Sequence, residues 1–228
     1  MKTKQIAITA ILIVFTVLLF HWTRLDLWLQ DFFYNADSKQ WNIDRDQKLP
    51  RQILYDGIKR FFVISILALI AAVAVFKNNR IIKDYRQGLI IVLLSCLVVP
   101  LVVGGLKAIT NTPCPNNITH FNGDYPYVGV LDSYPANFIQ TEKQRCFPAA
   151  HASGGFALLS VFFLFNTRRN KIIATSLAMS TGWIIGFYKM LIGDHFLSHT
   201  IVSMLLAWLI ILIISGIIQS KNYFVSKP

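Results

Sequence analysis

Three histidines and two lysines stand out in a chain with few charged residues. His151 opens an apolar stretch in RCFPAAHASGGF, His195 and His199 lie four apart in GDHFLSH, Lys107 closes an apolar stretch in GGLKAITNTPCP, and Lys189 precedes His195 by six residues. A neutral imidazole is a competent nucleophile near neutral pH, and toward phosphorus it forms a covalent phosphoenzyme. A second imidazole, protonated, can donate to the leaving alcohol and then take a proton from water. Lysines and backbone N–H groups neutralise charge on the phosphoryl oxygens. Pro148, Ala149, Ala150 and His151 read as the start of a helix, whose free amides and positive dipole end suit an anion. The same residues have plainer uses, because a histidine at a span end is often interfacial and a lysine there anchors by snorkelling. Spacing alone does not separate the two readings. No carboxylate or cysteine joins the histidines at ligand spacing, so no metal site is indicated and no cofactor is expected.

The elements that must position these residues are apolar. Of 228 residues, 54% are hydrophobic and only 14% charged, against about 25% charged in a typical soluble domain. That balance excludes a soluble globular enzyme, a disordered chain and a disulfide-rich secreted domain. The apolar residues fall in blocks at about 5–21, 61–76, 88–106, 148–166, 172–190 and 200–218, most of them near the length a helix needs to cross a bilayer. The expected fold is all-α, a six-span transmembrane bundle forming a single domain over 1–228, with outer segments 24–60 and 107–147. One side of that layout carries eleven Lys and Arg against a single acid, Asp84, whereas the other carries eleven against ten. Short basic loops stay in the cytoplasm, so both termini are placed there. The net charge of +11 then reads as a topology signal, with no nucleic-acid partner needed. The first span lacks a small-residue cleavage pattern before His21-Trp22-Thr23-Arg24 and is expected to stay as an anchor. Segment 24–60, with Trp28, Phe32, Phe33, Tyr34 and Trp41 among polar residues, reads as an interfacial helix and aromatic belt, or as a docking surface for a lipid substrate.

At the histidines and lysines the sequence resembles the type 2 phosphatidic acid phosphatase superfamily, whose motifs are Lys-x6-Arg-Pro, Pro-Ser-Gly-His and Ser-Arg-x5-His-x3-Asp. Lys107 and Pro115 match the first, with Cys114 at the arginine position. Pro148 and His151 match the second, with Ala149 and Ala150 replacing Ser and Gly. In the third, His195 matches, Tyr188-Lys189 replaces Ser-Arg, and His199 stands at the aspartate position. The resemblance implies His195 as phosphohistidine nucleophile and His151 as general acid, in metal-independent chemistry. It also implies phosphate binding by Lys107, Lys189 and the backbone at Ala149 and Ala150. Lys189 keeps the charge of the family arginine but loses its bidentate fork. The family aspartate holds and polarises the nucleophile, which a neutral His199 does more weakly, and Asp194, adjacent to His195, is expected to point elsewhere. CFPAAHASGGF and GDHFLSH further resemble a divergent bacterial branch of the superfamily. The layout after the first span, LDLWLQDFFYNADSKQW, is similar to that of lipid A 4′-phosphatases.

Cys96 lies inside the third apolar block and reads as a packing residue. Cys114 and Cys146 share the outer loop, and a periplasmic setting permits a disulfide between them. Such a bond occupies the place where the family puts a guanidinium, and Arg145 reads as its replacement at the phosphate or as a plain solvated loop charge. Together these features point to a phosphatase of membrane lipid phosphates in a bacterial inner membrane, its site facing the periplasm. Lipid A phosphate, phosphatidylglycerol phosphate, phosphatidic acid and undecaprenyl diphosphate are the candidate substrates. Lipid phosphotransfer and a catalytically impaired phosphate-lipid binding protein are the alternatives.

Overall fold

In a hydrocarbon layer every backbone amide must be satisfied within the chain, and the uncharged runs accordingly form helices. The computed structural model describes residues 2–45, 47, 52 and 57–225. Helices α1 (Lys2–Trp22), α4 (Arg80–Ile109) and α7 (Leu197–Val225) each contain a stretch long and apolar enough to cross a membrane. Helix α3 (Ile58–Val75) and the segment Ala150–Phe163 are apolar but shorter. Helix α6 (Arg168–Leu191) is long and less apolar, and Thr167 caps it by accepting the amide of Asn170.

Several limits differ from the sequence reading. Helix α4 begins at Arg80, well before the apolar block at 88, because helix propagation continues through its charged first turns. The block expected as a span over 148–166 is α5 (Ala150–Ala157), which tightens into a 3₁₀ segment over Leu158–Phe163. Among the described residues, the departures from an all-α layout are a hairpin of two-residue strands, β1 (Tyr34–Asn35) and β2 (Gln40–Trp41), pairing Tyr34 with Trp41, and an isolated bridge between Ile118 and Tyr125. The hairpin follows the short helix α2 (Leu25–Asp31), so the described residues of the expected interfacial helix and aromatic belt hold a helix and a hairpin, and the remainder of 24–60 lies largely outside the described residues.

The core lies between α4, α5, α6 and α7, where Val99, Val103, Ala152, Phe156, Ala178, Ala207 and Ile211 are buried. Helices α5 and α6 approach closely at Gly155 and Gly182: a Cβ on Gly155 would lie 2.7 Å from the Gly182 Cα. His151 is one turn before Gly155 and Lys189 two turns after Gly182, so this contact sets their separation. A second cluster lies beside the start of α7, with Ile118, Phe121 and Phe196 buried against Leu27, Tyr34, Trp41 and Tyr127.

Candidate active site

Helix α6 ends at Leu191, and the chain then reverses into α7 through Gly193, whose φ of +73° suits glycine. The carbonyl of Lys189 accepts the amides of Asp194 at 2.8 Å and His195 at 3.2 Å, closing the turn. His195 is thereby held just before α7, 2% exposed. Its Nδ1 is enclosed and without a hydrogen-bond partner. Burial pushes its pKa well down from the ordinary value, and His199, Lys107, His151 and Lys189 push the same way. The imidazole is therefore kept neutral, the form a nucleophile needs.

His151, at the start of α5, is exposed, and its ring lies 6.4 Å from that of His195, centroid to centroid. Lys107, in the last turn of α4, is half-buried, with Asp194 and Lys189 as its charged neighbours. Lys189 is buried and pairs with Asp194 at 2.7 Å. The other oxygen of that carboxylate faces Arg45 at 3.7 Å. Asp194 does point away from the role of the family aspartate, toward cations. Three helix ends and the turn before α7 thus bring two imidazoles and two lysines to one place.

The second-motif backbone is only partly available. The Ala149 amide donates to the His199 carbonyl at 3.2 Å, and Ala149 is fully buried, so the amide expected to meet phosphate is spent on joining α5 to α7. Helix α5 opens at Ala150, whose first-turn amides lack intrahelical acceptors. Cys114 and Cys146 are joined in a disulfide with Cα atoms 5.2 Å apart. The Cys146 amide donates to Thr112 at 3.1 Å, and the Thr110 hydroxyl donates to the Phe147 carbonyl, so the loop after α4 is tied to the start of α5. Arg145, expected beside the phosphate, is exposed on that loop.

His199 is 2% exposed, its ring 5.7 Å from His195 and edge-on to Phe147 and Phe196. The backbone carbonyl of Cys146 accepts a hydrogen bond from its imidazole. With one ring N–H so engaged, the neutral ring has its remaining nitrogen as an acceptor. The Nδ1 atoms of both His195 and His199 are buried without partners, in adjacent rings. A second group, unexpected from the sequence, acts from α2. Asp26 accepts the Ser198 amide at 2.9 Å and the Ser198 hydroxyl at 2.5 Å, which caps α7 from another element. Burial raises its pKa to about 6 against hydrogen bonds from Ser198 and Leu197 that lower it. Gln30 of the same short helix donates to the Met190 carbonyl at 2.7 Å. A polar residue within an aromatic segment was the available signal, but nothing in sequence order joins it to α7.

The model for the PAP2 superfamily matches residues 88–223, which include Lys107, His151, Lys189, His195 and His199. The lipid A 4′-phosphatase of Francisella tularensis subsp. novicida (strain U112) is 27% identical over 184 residues, covering 78% of this chain and 79% of that protein. No solved structure matches the chain. With the family match running over more than half the chain and holding the three histidines of the site together with its two lysines, the protein belongs to the PAP2 superfamily, the type 2 phosphatidic acid phosphatases.

Proposed function

We propose that the protein is a multi-pass membrane phosphatase that hydrolyses a lipid phosphate through a phosphohistidine on His195. The observation that carries this reading is the juxtaposition of a buried neutral imidazole, His195, with an exposed one, His151, beside Lys107 and Lys189. His195 Nε2 attacks phosphorus while its Nδ1–H is offered to the free nitrogen of His199. The bond from phosphorus to the lipid oxygen breaks, and His151, as imidazolium, gives that oxygen its proton. Water then attacks the phosphohistidine, His151 takes a proton from the water, and phosphate leaves with His195 restored. Lys107, Lys189 and the amide of Ala150 neutralise the phosphoryl oxygens. No step calls for a metal.

The substrate is an anionic lipid presented in the outer leaflet of a bacterial inner membrane. The similarity to a lipid A 4′-phosphatase makes lipid A the first phosphate to offer. The orientation is supported by the two ends of the segment Ala150–Phe163. Lys2 lies over the Phe163 ring at 5.6 Å and Lys171 over Phe162 at 5.0 Å, so residues of the basic side gather at the end of this segment away from His151. Lys2 also donates to the Ser215 carbonyl at 3.0 Å, bringing the start of the chain to the far part of α7. Six crossings put both termini in the cytoplasm and the histidines in the periplasm.

The test is phosphate release by detergent-purified protein from lipid A, phosphatidylglycerol phosphate, phosphatidic acid and undecaprenyl diphosphate, beside His195→Ala. Release from a lipid monoester, lost by about 10³-fold or more in the variant, is the expected outcome. Equal release by the variant contradicts the role of His195. No release from any lipid by folded protein contradicts the hydrolase reading.

A further inference from the structure

We infer that Arg45, from the outer segment before the family-matched region, supplies the substrate-phosphate guanidinium that the first motif lacks. The inference rests on the phosphatase reading and extends it to a residue outside the three motifs.

The position that carries the family arginine is Cys114, and its side chain is committed to the bond with Cys146. Of the two lysines at the site, Lys189 is paired with Asp194. A phosphate dianion among the histidines therefore meets fewer uncommitted positive charges than the motif provides elsewhere in the family. Arg45 lies 3.7 Å from the second oxygen of Asp194, the residue immediately before His195, so a guanidinium stands at the edge of the cluster. Lys107 also has Asp194 as a charged neighbour, which puts all three cations around one carboxylate.

The local fold explains why Arg45 is there. The Asn42 amide donates to the Phe33 carbonyl at 2.9 Å, and Trp41 packs at a tilt against Tyr34 and Phe121, so the hairpin is fixed on the cluster around Phe121. Trp41 also covers Gly193 so closely that a Cβ there would lie 2.4 Å from its ring. Arg45 follows Trp41 by four residues, and the Gln47 amide donates to the Asp44 carbonyl at 3.2 Å, which turns the chain around it. The hairpin is thus pinned to the turn that holds His195, and Arg45 is carried with it. A guanidinium has five donors in a rigid fork. Asp194 faces one edge, and with 63% of the side chain exposed the rest is open to an anion. An ion pair this exposed contributes little to stability, so its removal should leave the protein folded.

The test uses the full-length protein in detergent with orthovanadate and inorganic phosphate as inhibitors of lipid-phosphate hydrolysis. Binding of orthovanadate is also read by thermal shift, which needs no turnover. Arg45→Gln should weaken inhibition by both anions about tenfold and raise KM similarly, with kcat changed only a few-fold. Arg45→Lys should fall between, keeping charge without the fork. Unchanged anion affinity in Arg45→Gln, with normal melting and wild-type turnover, overturns the inference and leaves the phosphatase reading standing. A loss in Arg145→Gln with Arg45→Gln silent overturns it in favour of the loop arginine. A wild-type protein that neither releases phosphate nor binds vanadate overturns both.

Discussion

At His199 the chain departs most from its family. An aspartate orients a nucleophilic histidine by accepting its Nδ1–H and stabilising the imidazolium that develops, whereas a neutral imidazole can supply the acceptor without the charge. The hydrogen bond to the Cys146 backbone leaves His199 one ring nitrogen that can serve as this acceptor. His199→Ala should lower kcat by about 10²-fold or more, and His199→Asp should restore it while changing the pH profile. Burial and neighbouring positive groups hold the pKa of His195 well below the ordinary value. The wild type should therefore show no acid limb from the nucleophile near neutrality. A carboxylate at position 199 favours the imidazolium and raises that pKa, so the limb should move to higher pH in kcat/KM. An unchanged profile in His199→Asp with full activity would mean that position 199 does not touch the nucleophile. The histidines and lysines were legible in the sequence because their types are rare in apolar blocks and recur at block ends. Arg45 was not, since it reaches Asp194 only through the docking of a hairpin from a distant part of the chain.

The turn carrying His195 is built by elements on both sides of it, and α2 is the one that sequence order hides. Asp26 caps α7 through Ser198 at a cost in desolvation, which is why its pKa rises from 3.8 to about 6. The sign follows from linkage: a folded-state pKa above the unfolded one means that the folded protein holds the proton more tightly. Stability from this group is full below about pH 4 and is lost as pH rises through about 6. The difference amounts to at most roughly 3 kcal/mol. Thermal unfolding at about pH 5 and pH 7.5 should show Asp26→Asn losing part of the wild-type decline between the two. An identical pH dependence in the variant would contradict the burial of this carboxylate. The apolar blocks made the helices legible, since a hydrocarbon-like run has few other ways to satisfy its backbone. Their limits were less legible because charged residues continue α4 beyond its apolar block, and because α5 tightens into a 3₁₀ segment within one. Of the aromatics in segment 24–60, Trp28 and Phe32 are exposed, whereas Trp41 and Tyr34 pack against Phe121 and Gly193.

Across the whole molecule the chemistry gathers at one end of the bundle, and the disulfide belongs to that end. Cys114 and Cys146 tie the loop after α4 to the start of α5, while Cys96 is a buried free thiol in α4. Denatured protein kept from reductant should therefore titrate one thiol, and reduction should raise the count to the three cysteines of the sequence. Three thiols before reduction would contradict the pairing. Lys2 contacts Ser215 and Phe163, which brings the start of the chain to the end of the Ala150–Phe163 segment away from His151. In the proposed reaction His195 carries the phosphoryl group during turnover. The most direct measurement is rapid quenching of the protein during hydrolysis of a ³²P-labelled lipid phosphate, followed by assay of label bound to protein. A base-stable, acid-labile label that is absent from His195→Ala is the result expected of a phosphohistidine at that position. Turnover with no such label, or the same label on His195→Ala, would contradict it.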